Sequence, residues 1–303
     1  MNETIMINKL PVRTWNRLGV NETALTWDEA AMETLETERP TPRGGPIRLD
    51  IAGRGACSGK SVEVEIPEGQ TCTVLETIHP EADLLVRTGL KVGKDAKVRL
   101  VQILHTGEHA RLRCEVTGSC EEQGRVELVQ ILLGRGDVYS DSRFTLNGTG
   151  SGLKADMGYL GRGEQTVDIN LVSDHYGPKT ESAINVSGAL KDGAKKIFRG
   201  TIDFKKGAVD AVGSEQETVL MLGDDVVNKT VPLILCAEEN VEGNHGASIG
   251  ELDGDTLFYF ESRGISREAA ENIMARAAIE RLAESIGDEA TKEYVLKNLE
   301  EEL

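Results

Sequence analysis

The sequence has 303 residues, of which 39% are hydrophobic and 28% are charged, and this composition excludes a chain that is disordered throughout. Acidic residues outnumber basic residues by 51 to 34, so the formal net charge is −17. Such a chain repels phosphate groups, and neither nucleic acid nor an anionic membrane is an expected partner.

The chain shows no sign of membrane insertion or export. Its longest uncharged apolar stretch, residues 231–237, is far short of the roughly 20 residues that cross a bilayer. Residues 1–11 lack the apolar run of a secretion signal, so we expect a cytoplasmic protein. The five cysteines form no Cys-x-x-Cys pair and are expected to be reduced, with Cys236 in the core.

Residues 1–46 form an N-terminal segment of mixed character. Residues 26–32 favour a short capped helix. Proline and glycine crowd residues 39–46, which excludes regular structure there and predicts a linker.

From residue 47 to about residue 260, short β-prone runs follow one another. Turn residues such as Asn147-Gly148 and Asp192-Gly193 separate them. No long helical pattern interrupts the series, which excludes doubly wound α/β folds and α/β barrels. The runs are residues 61–66, 72–78, 83–88, 97–105, 111–116, 125–133, 142–146, 166–172, 180–186, 196–204 and 217–222.

A segment that occurs twice in the sequence, which we call the echo, narrows the choice of fold class. Residues 98–104 and 126–132 match at every position but the second, at an offset of 28 residues. A strand repeated at a fixed offset is typical of the stacked coils of a β-solenoid. Many runs have apolar residues at both odd and even positions. This is expected when one face of a strand lines the lumen and the other face packs against a second layer. A β-sandwich is the alternative that the pattern leaves open.

Residues 261–303 are predicted to form a C-terminal helical domain. Ser266 is a good N-cap for a first, alanine-rich helix. Ala270, Ile273 and Ala277 form one stripe along that helix, which could pack on the solenoid or on another protein.

A second helix is predicted after Gly287, which ends the first one. Asp288 can cap it. Val295 and Leu299, four residues apart, then lie on one face of the helix.

Common catalytic signatures are absent from the sequence, including the phosphate-binding loop and the nucleophile elbow. Gly134-Arg135-Gly136 and Gly161-Arg162-Gly163 could receive a phosphate, although arginine in a strand turn usually has no such role. His105 and His109, with Cys114 nearby, could bind a metal, but in a strand–turn context surface histidines are the simpler interpretation.

His245 stands apart among small residues. Gly246 and Ala247 follow it, so a ligand or a partner backbone could reach its ring. A purely structural histidine is equally compatible with this pattern.

A series of short motifs spans residues 198–265. They are Phe198-x-Gly200-x-Ile202, Val219-Leu220-Met221-Leu222-Gly223, Pro232, Val241 before His245-Gly246-Ala247-Ser248, Gly250-x-Leu252-Asp253, Leu257-Phe258-Tyr259-Phe260 and Ser262-Arg263-Gly264-Ile265. With these motifs the stretch resembles the C-terminal core of the SufB/SufD family, the scaffold proteins of SUF iron–sulfur cluster assembly. The opening residues 10–16 also look like short members of the family.

The resemblance implies a mainly β fold, a right-handed parallel β-helix over residues 47–260 with the C-terminal helical domain. The His-Gly-Ala form is similar to SufD, and the resemblance implies that His245 is a cluster-assembly residue near a dimer interface. Where SufB-type members carry a cysteine this sequence has Glu217, and where some SufD proteins do it has Gly243. His245 and Glu217 are thus candidate ligands for transient iron or an iron–sulfur cluster, and none is expected to bind stably.

The resemblance also implies partners. The helical pair is expected to dock on a SufC-type ABC ATPase, which would supply the ATP hydrolysis that a scaffold without a phosphate-binding loop lacks. Arg263, Gly264, Ile265, Ile273 and Ala277 are the candidate contacts. The chain is expected to dimerise, with itself or with a SufB-like protein.

Two other function classes are weighed against the scaffold. One is a β-solenoid enzyme acting on acidic polysaccharide, although an acidic surface would repel such a substrate. The other is a purely structural oligomerisation module in which every histidine and cysteine is inert.

Overall fold

Two sheets of parallel strands dominate the structure. The computed structural model describes residues 3–27, 35–53 and 57–302. The chain alternates between two eight-stranded sheets, so each strand pairs in parallel with the strands two places before and after it. The fold is therefore a parallel β-solenoid of about eight coils, as predicted, and the β-sandwich alternative is wrong.

The even-numbered sheet contains β4 (Ile47–Ile51), β6 (Thr71–Ile78), β8 (Lys97–Thr106), β10 (Arg125–Gly134), β12 (Gly152–Gly161), β14 (Glu181–Lys191), β16 (Ala211–Leu222) and β18 (Val241–Gly250). The odd-numbered sheet contains β3 (Glu36–Glu38), β5 (Cys57–Ile66), β7 (Asp83–Val92), β9 (Arg111–Cys120), β11 (Asp137–Leu146), β13 (Thr166–His175), β15 (Lys195–Phe204) and β17 (Val227–Cys236). A separate hairpin, β1 (Glu3–Ile7) and β2 (Thr23–Trp27), precedes them, and α1 (Gly254–Ser262), α2 (Arg267–Glu284) and α3 (Glu289–Glu302) follow.

The sequence echo marks two strands that lie side by side. Strands β8 and β10 pair with the register that the echo predicts, and the repeated glutamines Gln102 and Gln130 are partners. Both glutamines point into the lumen, where the Gln130 side-chain amide donates to Gln102 at 2.8 Å. Gln102 in turn donates to the buried carboxylate of Glu76 at 2.6 Å. A polar ladder thus crosses three coils inside an otherwise apolar core.

A column of residues with left-handed backbone conformation forms one corner of the solenoid. Asp95, Gln123, Gly150, Lys179 and Asp210 all have φ between 54° and 67°. Each donates its backbone N–H to a carbonyl of the next coil, at 2.8 to 3.0 Å. Left-handed backbone is unfavourable for residues other than glycine, so these inter-coil hydrogen bonds offset its cost at every turn.

The C-terminal helices cover the outer face of the even-numbered sheet. Their caps are as predicted: Ser266 accepts from the Ala269 N–H, and Asp288 accepts from the Thr291 N–H at 3.0 Å. Val295 and Leu299 are both buried, as predicted. None of the helices in the described residues is long and apolar enough to cross a membrane.

The predicted stripe of α2 does not form the packed face as a unit. Ala270 is buried, but Ile273 and Ala277 are exposed. The face on the sheet contains Ala275 and Ile279, because these meet the apolar outer side chains of the strands below. One face of α2 therefore packs on the solenoid, and the other face is exposed to solvent.

Three local predictions differ from the structure. The β region predicted to reach about residue 260 ends at Gly250, and residues 254–262 form α1, which Asp253 caps by accepting from the Thr256 N–H at 2.8 Å. Five solenoid strands, β3, β4, β12, β17 and β18, are absent from the predicted runs. Of the helix predicted over residues 26–32, Thr26 and Trp27 lie in β2 and the rest is outside the described residues.

The N-terminal hairpin clamps a buried ion pair on the outer face of the odd-numbered sheet. Asp168 and Arg199 are both fully buried and paired. The hairpin region completes their hydrogen bonds: Asn8 donates to Asp168 at 2.7 Å, and Arg199 donates to the Val20 carbonyl at 2.5 Å and to the Thr23 hydroxyl at 3.0 Å. This network ties residues 3–27 to the solenoid.

We expect Asp168→Ala to destabilise the protein by about 3–5 kcal/mol, because it leaves the Arg199 guanidinium buried without a counter-ion. Urea unfolding measures the loss. Glu63→Ala is the matched control, since it removes an exposed carboxylate paired with Arg39 and is expected to change stability by no more than about 1 kcal/mol. Equal effects of the two substitutions would contradict the clamp.

Candidate functional site at the open end of the solenoid

The last coil leaves one end of the solenoid open. Strands β17 and β18 pair with β15 and β16 on one side, and no strand of the described residues lies on their other side. Every residue of the two strands is half-buried or exposed. Their outer backbone N–H and C=O groups and the mouth of the lumen are therefore available to another chain.

A charged network fills the lumen just inside this end. The alternation of β16 points Glu217 inward, where it forms an ion pair with Lys196 of β15, and both side chains are essentially inaccessible to water. Thr230 of β17 joins them: its hydroxyl donates to Glu217 at 2.6 Å and accepts from the Lys196 ammonium at 3.1 Å. Burial lowers the pKa of Lys196, and the attraction of Glu217 opposes that shift.

A second carboxylate lies in the same lumen. Glu215 is buried and packs over Gly200, where a Cβ would lie 2.1 Å from one carboxylate oxygen. Burial raises the pKa of Glu215 to about 8, and the nearby Glu217 charge acts in the same direction while Lys196 opposes both. Burial therefore favours the protonated form of Glu215, and Glu217 is the carboxylate that forms the ion pair with the lysine.

His245 lies one coil further out and is exposed. Its register partner is Glu215, whereas Glu217 is opposite Ala247. The structure thus brings Glu217 and His245 to the same end of the lumen on adjacent strands, with the Glu217 carboxylate already engaged by Lys196.

The donor set at this end offers carboxylate oxygens, one imidazole and the exposed thiol of Cys236, the last residue of β17. Within the described ranges no three His, Cys, Asp or Glu side chains are arranged to hold a metal. Cys72, Cys114 and Cys120 are buried, and burial raises the pKa of each thiol. The described side chains at this end therefore offer one thiolate, fewer than a sulfur-ligated cluster uses.

Cys236 is exposed, and its prediction as a core residue is wrong. It ends β17, the outermost strand of its sheet, so no further coil covers it. Gly243, where some SufD proteins have cysteine, lies against Phe204 and Ile234, and a Cβ at this position would lie 3.0 Å from the Ile234 side chain.

The other predicted metal candidates do not converge. His105 is used structurally, with its ring nitrogens 3.1 Å from the Tyr294 hydroxyl and 3.1 Å from the Glu302 carboxylate of α3. His109 is exposed in the following turn. The interpretation of both as structural or surface histidines agrees with these contacts.

The predicted docking residues lie around α1 and α2. The Arg263 guanidinium stacks 5.0 Å from the Tyr259 ring centre, and Gly264 takes a left-handed φ of 78° that ends α1. Ile265 is half-buried, and Ile273 and Ala277 are exposed on α2.

Sequence reasoning missed Lys196, Thr230 and Glu215. A signal was present, because Lys196 and Phe198 share one parity of a strand, as do Glu215, Glu217 and Val219. A charged residue at a position whose neighbours of the same parity are apolar indicates a charge inside the lumen.

The raised pKa of Glu215 predicts a pH dependence of stability. The folded state keeps the Glu215 proton to about pH 8, whereas the unfolded chain releases it near its ordinary value of 4.5. This contribution to stability is therefore complete at low pH and is lost as pH rises from about 5 to about 8.

We expect Glu215→Gln to flatten the loss of stability between about pH 5 and about pH 8, since glutamine cannot ionise. Urea midpoints across that range measure it for the two proteins. The buried Glu76, whose pKa is raised to about 7, contributes equally to both curves and cancels in their difference. Parallel curves would show that Glu215 titrates as an exposed carboxylate does.

Known proteins are similar to this chain over much of its length. The family model described as "SUF system FeS cluster assembly, SufBD core domain" matches residues 50–278. The iron–sulfur cluster assembly protein SufD of Bacillus subtilis is 28% identical over 222 residues, which are 68% of this chain and 51% of that protein.

Two staphylococcal proteins give the same picture. Iron–sulfur cluster assembly SufBD family proteins of Staphylococcus saprophyticus and Staphylococcus epidermidis are each 28% identical over 235 residues, 77% of this chain and 48% of theirs. The chain spans about half the length of the curated relatives it matches. Because the family model covers most of the solenoid and reaches into α2, the chain belongs to the SufBD family of SUF iron–sulfur cluster assembly and is similar to SufD.

Proposed function

We propose that this protein is a non-catalytic scaffold of iron–sulfur cluster assembly, which pairs through the open end of its solenoid and docks an ABC-type ATPase on its C-terminal helices. Membership of the SufBD family supports the assembly role. The observation that carries the proposal is the position of His245, exposed on the last strand of an open solenoid beside a lumen lined by Glu215 and Glu217.

The unpaired end supports dimerisation. Strands β17 and β18 each have ten residues, so their free edges present long rows of backbone donors and acceptors. Exposed edges of this length are a hazard unless something covers them. A second SufBD solenoid, presenting its own open end, would extend both sheets by strand addition.

Shared ligation follows from the donor set. This chain offers an imidazole, carboxylates and the single thiol of Cys236 at the end, and thiolates are the ligands that clusters prefer. A partner that contributes cysteine would complete a site in which the iron–sulfur cluster is cargo, and His245 would be this chain's contribution. Glu217, held by Lys196, would become a ligand only after that ion pair opens.

We propose that the ATPase binds the solvent-exposed face of the helices. Phe258, Tyr259, Ile273 and Met274 are all exposed, with Phe258 72% accessible. Apolar side chains grouped on the surface mark a protein contact more often than single ones do. The other face of α2 already packs on the solenoid, so a partner bound here would be rigidly linked to the coils.

We expect His245→Ala to abolish support of cluster assembly in cells that lack the native copy of this protein and keep their other SufBD proteins. The activities of iron–sulfur enzymes such as aconitase measure the effect, with the abundance of the variant measured alongside. His79→Ala is the control, because His79 lies at the opposite end of the solenoid next to Asp50. Normal enzyme activities in the His245→Ala strain would overturn the site.

We expect Ile273→Glu to release a co-purifying ABC-type ATPase without lowering the stability of the scaffold, because the side chain is exposed in the isolated chain. Pull-down of the ATPase with the tagged scaffold measures binding. Val12→Glu, an equally exposed apolar-to-acidic change in the N-terminal segment, is the control. Retention of the ATPase by Ile273→Glu would place the docking surface elsewhere.

A further inference from the structure

A cleft of about 770 Å³ lies where a corner of the solenoid meets the C-terminal helices. None of the residues that line it belongs to β17 or β18, the strands of the open end. Its floor contains the turns after β10, β12 and β14, and α2 and the end of α3 form a wall. The Gly-Arg-Gly turns, which the proposed function leaves without a role, both lie here.

Three cations line this cleft at equivalent places on successive coils. Arg135 follows Gly134, Arg162 follows Gly161, and Lys191 follows Leu190, which is the register partner of Gly161. The two arginines are close enough for Arg135 to lower the pKa of Arg162, although burial is the larger cause. The column therefore places three cationic side chains along one side of the cleft.

The cations have spare bonding capacity. The Arg135 backbone N–H donates to the Thr106 carbonyl at 3.0 Å, but its guanidinium has no ion pair or hydrogen bond with any residue that the structure describes. Lys191 donates to the Asn272 side chain at 3.1 Å and has no carboxylate partner among the described residues. Arg162 pairs with Glu302 at 2.9 Å, and its side chain is 11% accessible.

Three buried polar atoms at the cleft lack hydrogen-bond partners in the described part of the chain. They are the Nε of Arg162, a donor, and two acceptors, the Oε1 of Gln165 and one carboxylate oxygen of Glu302. Gln165 is 4% exposed, and its amide nitrogen is fixed by donating to the Gly136 carbonyl at 2.6 Å, which leaves the oxygen as an acceptor. Leaving such groups unpaired costs free energy, so a bound molecule with both an acceptor and a donor would stabilise the site.

The carboxylates of the cleft are mostly committed to neighbours. Asp137 accepts from the Thr166 N–H at 2.8 Å, and Asp192 accepts from the Gly163 N–H at 3.0 Å. Glu164 faces Lys195 at 3.4 Å. Glu108 and Glu268 also line the cleft and Glu302 pairs with Arg162, so Arg135 and Lys191 are the cations of the column without a carboxylate partner among the described residues.

We propose that this cleft binds the phosphate group of a small phosphomonoester. Guanidinium groups suit phosphate because their paired N–H donors match its oxygens, and Lys191 adds a third cation. The free Gln165 oxygen would accept from a hydroxyl on the phosphate or on the remainder of the ligand. A bound phosphate would also join the solenoid corner to α2 through Lys191 and Asn272.

Isothermal titration of the full chain with inorganic phosphate and with adenosine monophosphate, at constant ionic strength set by chloride, tests the proposal. We expect saturable binding at millimolar concentration or tighter. Binding of inorganic phosphate as tight as that of the nucleotide indicates a site for the free anion, and tighter nucleotide binding indicates a phosphomonoester ligand.

Arg135→Gln and Lys191→Gln are expected to weaken binding by about tenfold or more each, since each removes a charge-assisted hydrogen bond. Both side chains lack ion-pair partners among the described residues, so the variants should fold. Lys94→Gln, which removes an exposed lysine outside the cleft, is the charge-matched control and should change binding less than about twofold. Absence of saturable binding by either probe, or binding that neither cleft variant weakens, would overturn the site.

Discussion

The structure depends on hydrogen bonding from coil to coil. Each strand of the solenoid completes its backbone bonds only with the strands of the coils above and below, and the corner residues follow the same rule. A stack of this kind is satisfied everywhere except at its two ends. The N-terminal end tapers through β3 and β4, which have three and five residues, whereas the C-terminal end stops at two strands of full length. The unmet bonds are thus concentrated beside His245.

The same constraint determines where charge can be buried. In the middle coils the lumen holds uncharged amides, because Gln102 and Gln130 satisfy one another across adjacent strands. Near the open end it holds Lys196 and Glu217, a pair whose Thr230 partner is already on the last coil. Removing either ion would leave the other unpaired in a dry lumen, so the pair is stable only while both remain. Opening it to bind iron would require a rearrangement of the last coil.

Prediction from the sequence succeeded where one coil specifies its own structure. The echo gave the register of β8 and β10, and the helix caps were readable because Ser266 and Asp288 act on backbone within three residues. It failed where a distant contact decides. The glycines of β12 obscure its strand character, yet Gly158 makes room for α2, since a Cβ there would lie 3.0 Å from Leu282. Cys236 looked like core because its position on the last coil is invisible locally.

The chain's own elements cover part of each outer face of the solenoid. The N-terminal hairpin packs on the odd-numbered sheet through Trp27 and the Asp168–Arg199 pair, and α2 and α3 pack on the even-numbered sheet. The end of the stack and the outward face of the helices are among the surfaces that stay open. A partner at the end would contact His245, and a partner on the helices would transmit force to the coils through Ile279. Movement at one surface can therefore reach the other through the rigid stack of strands.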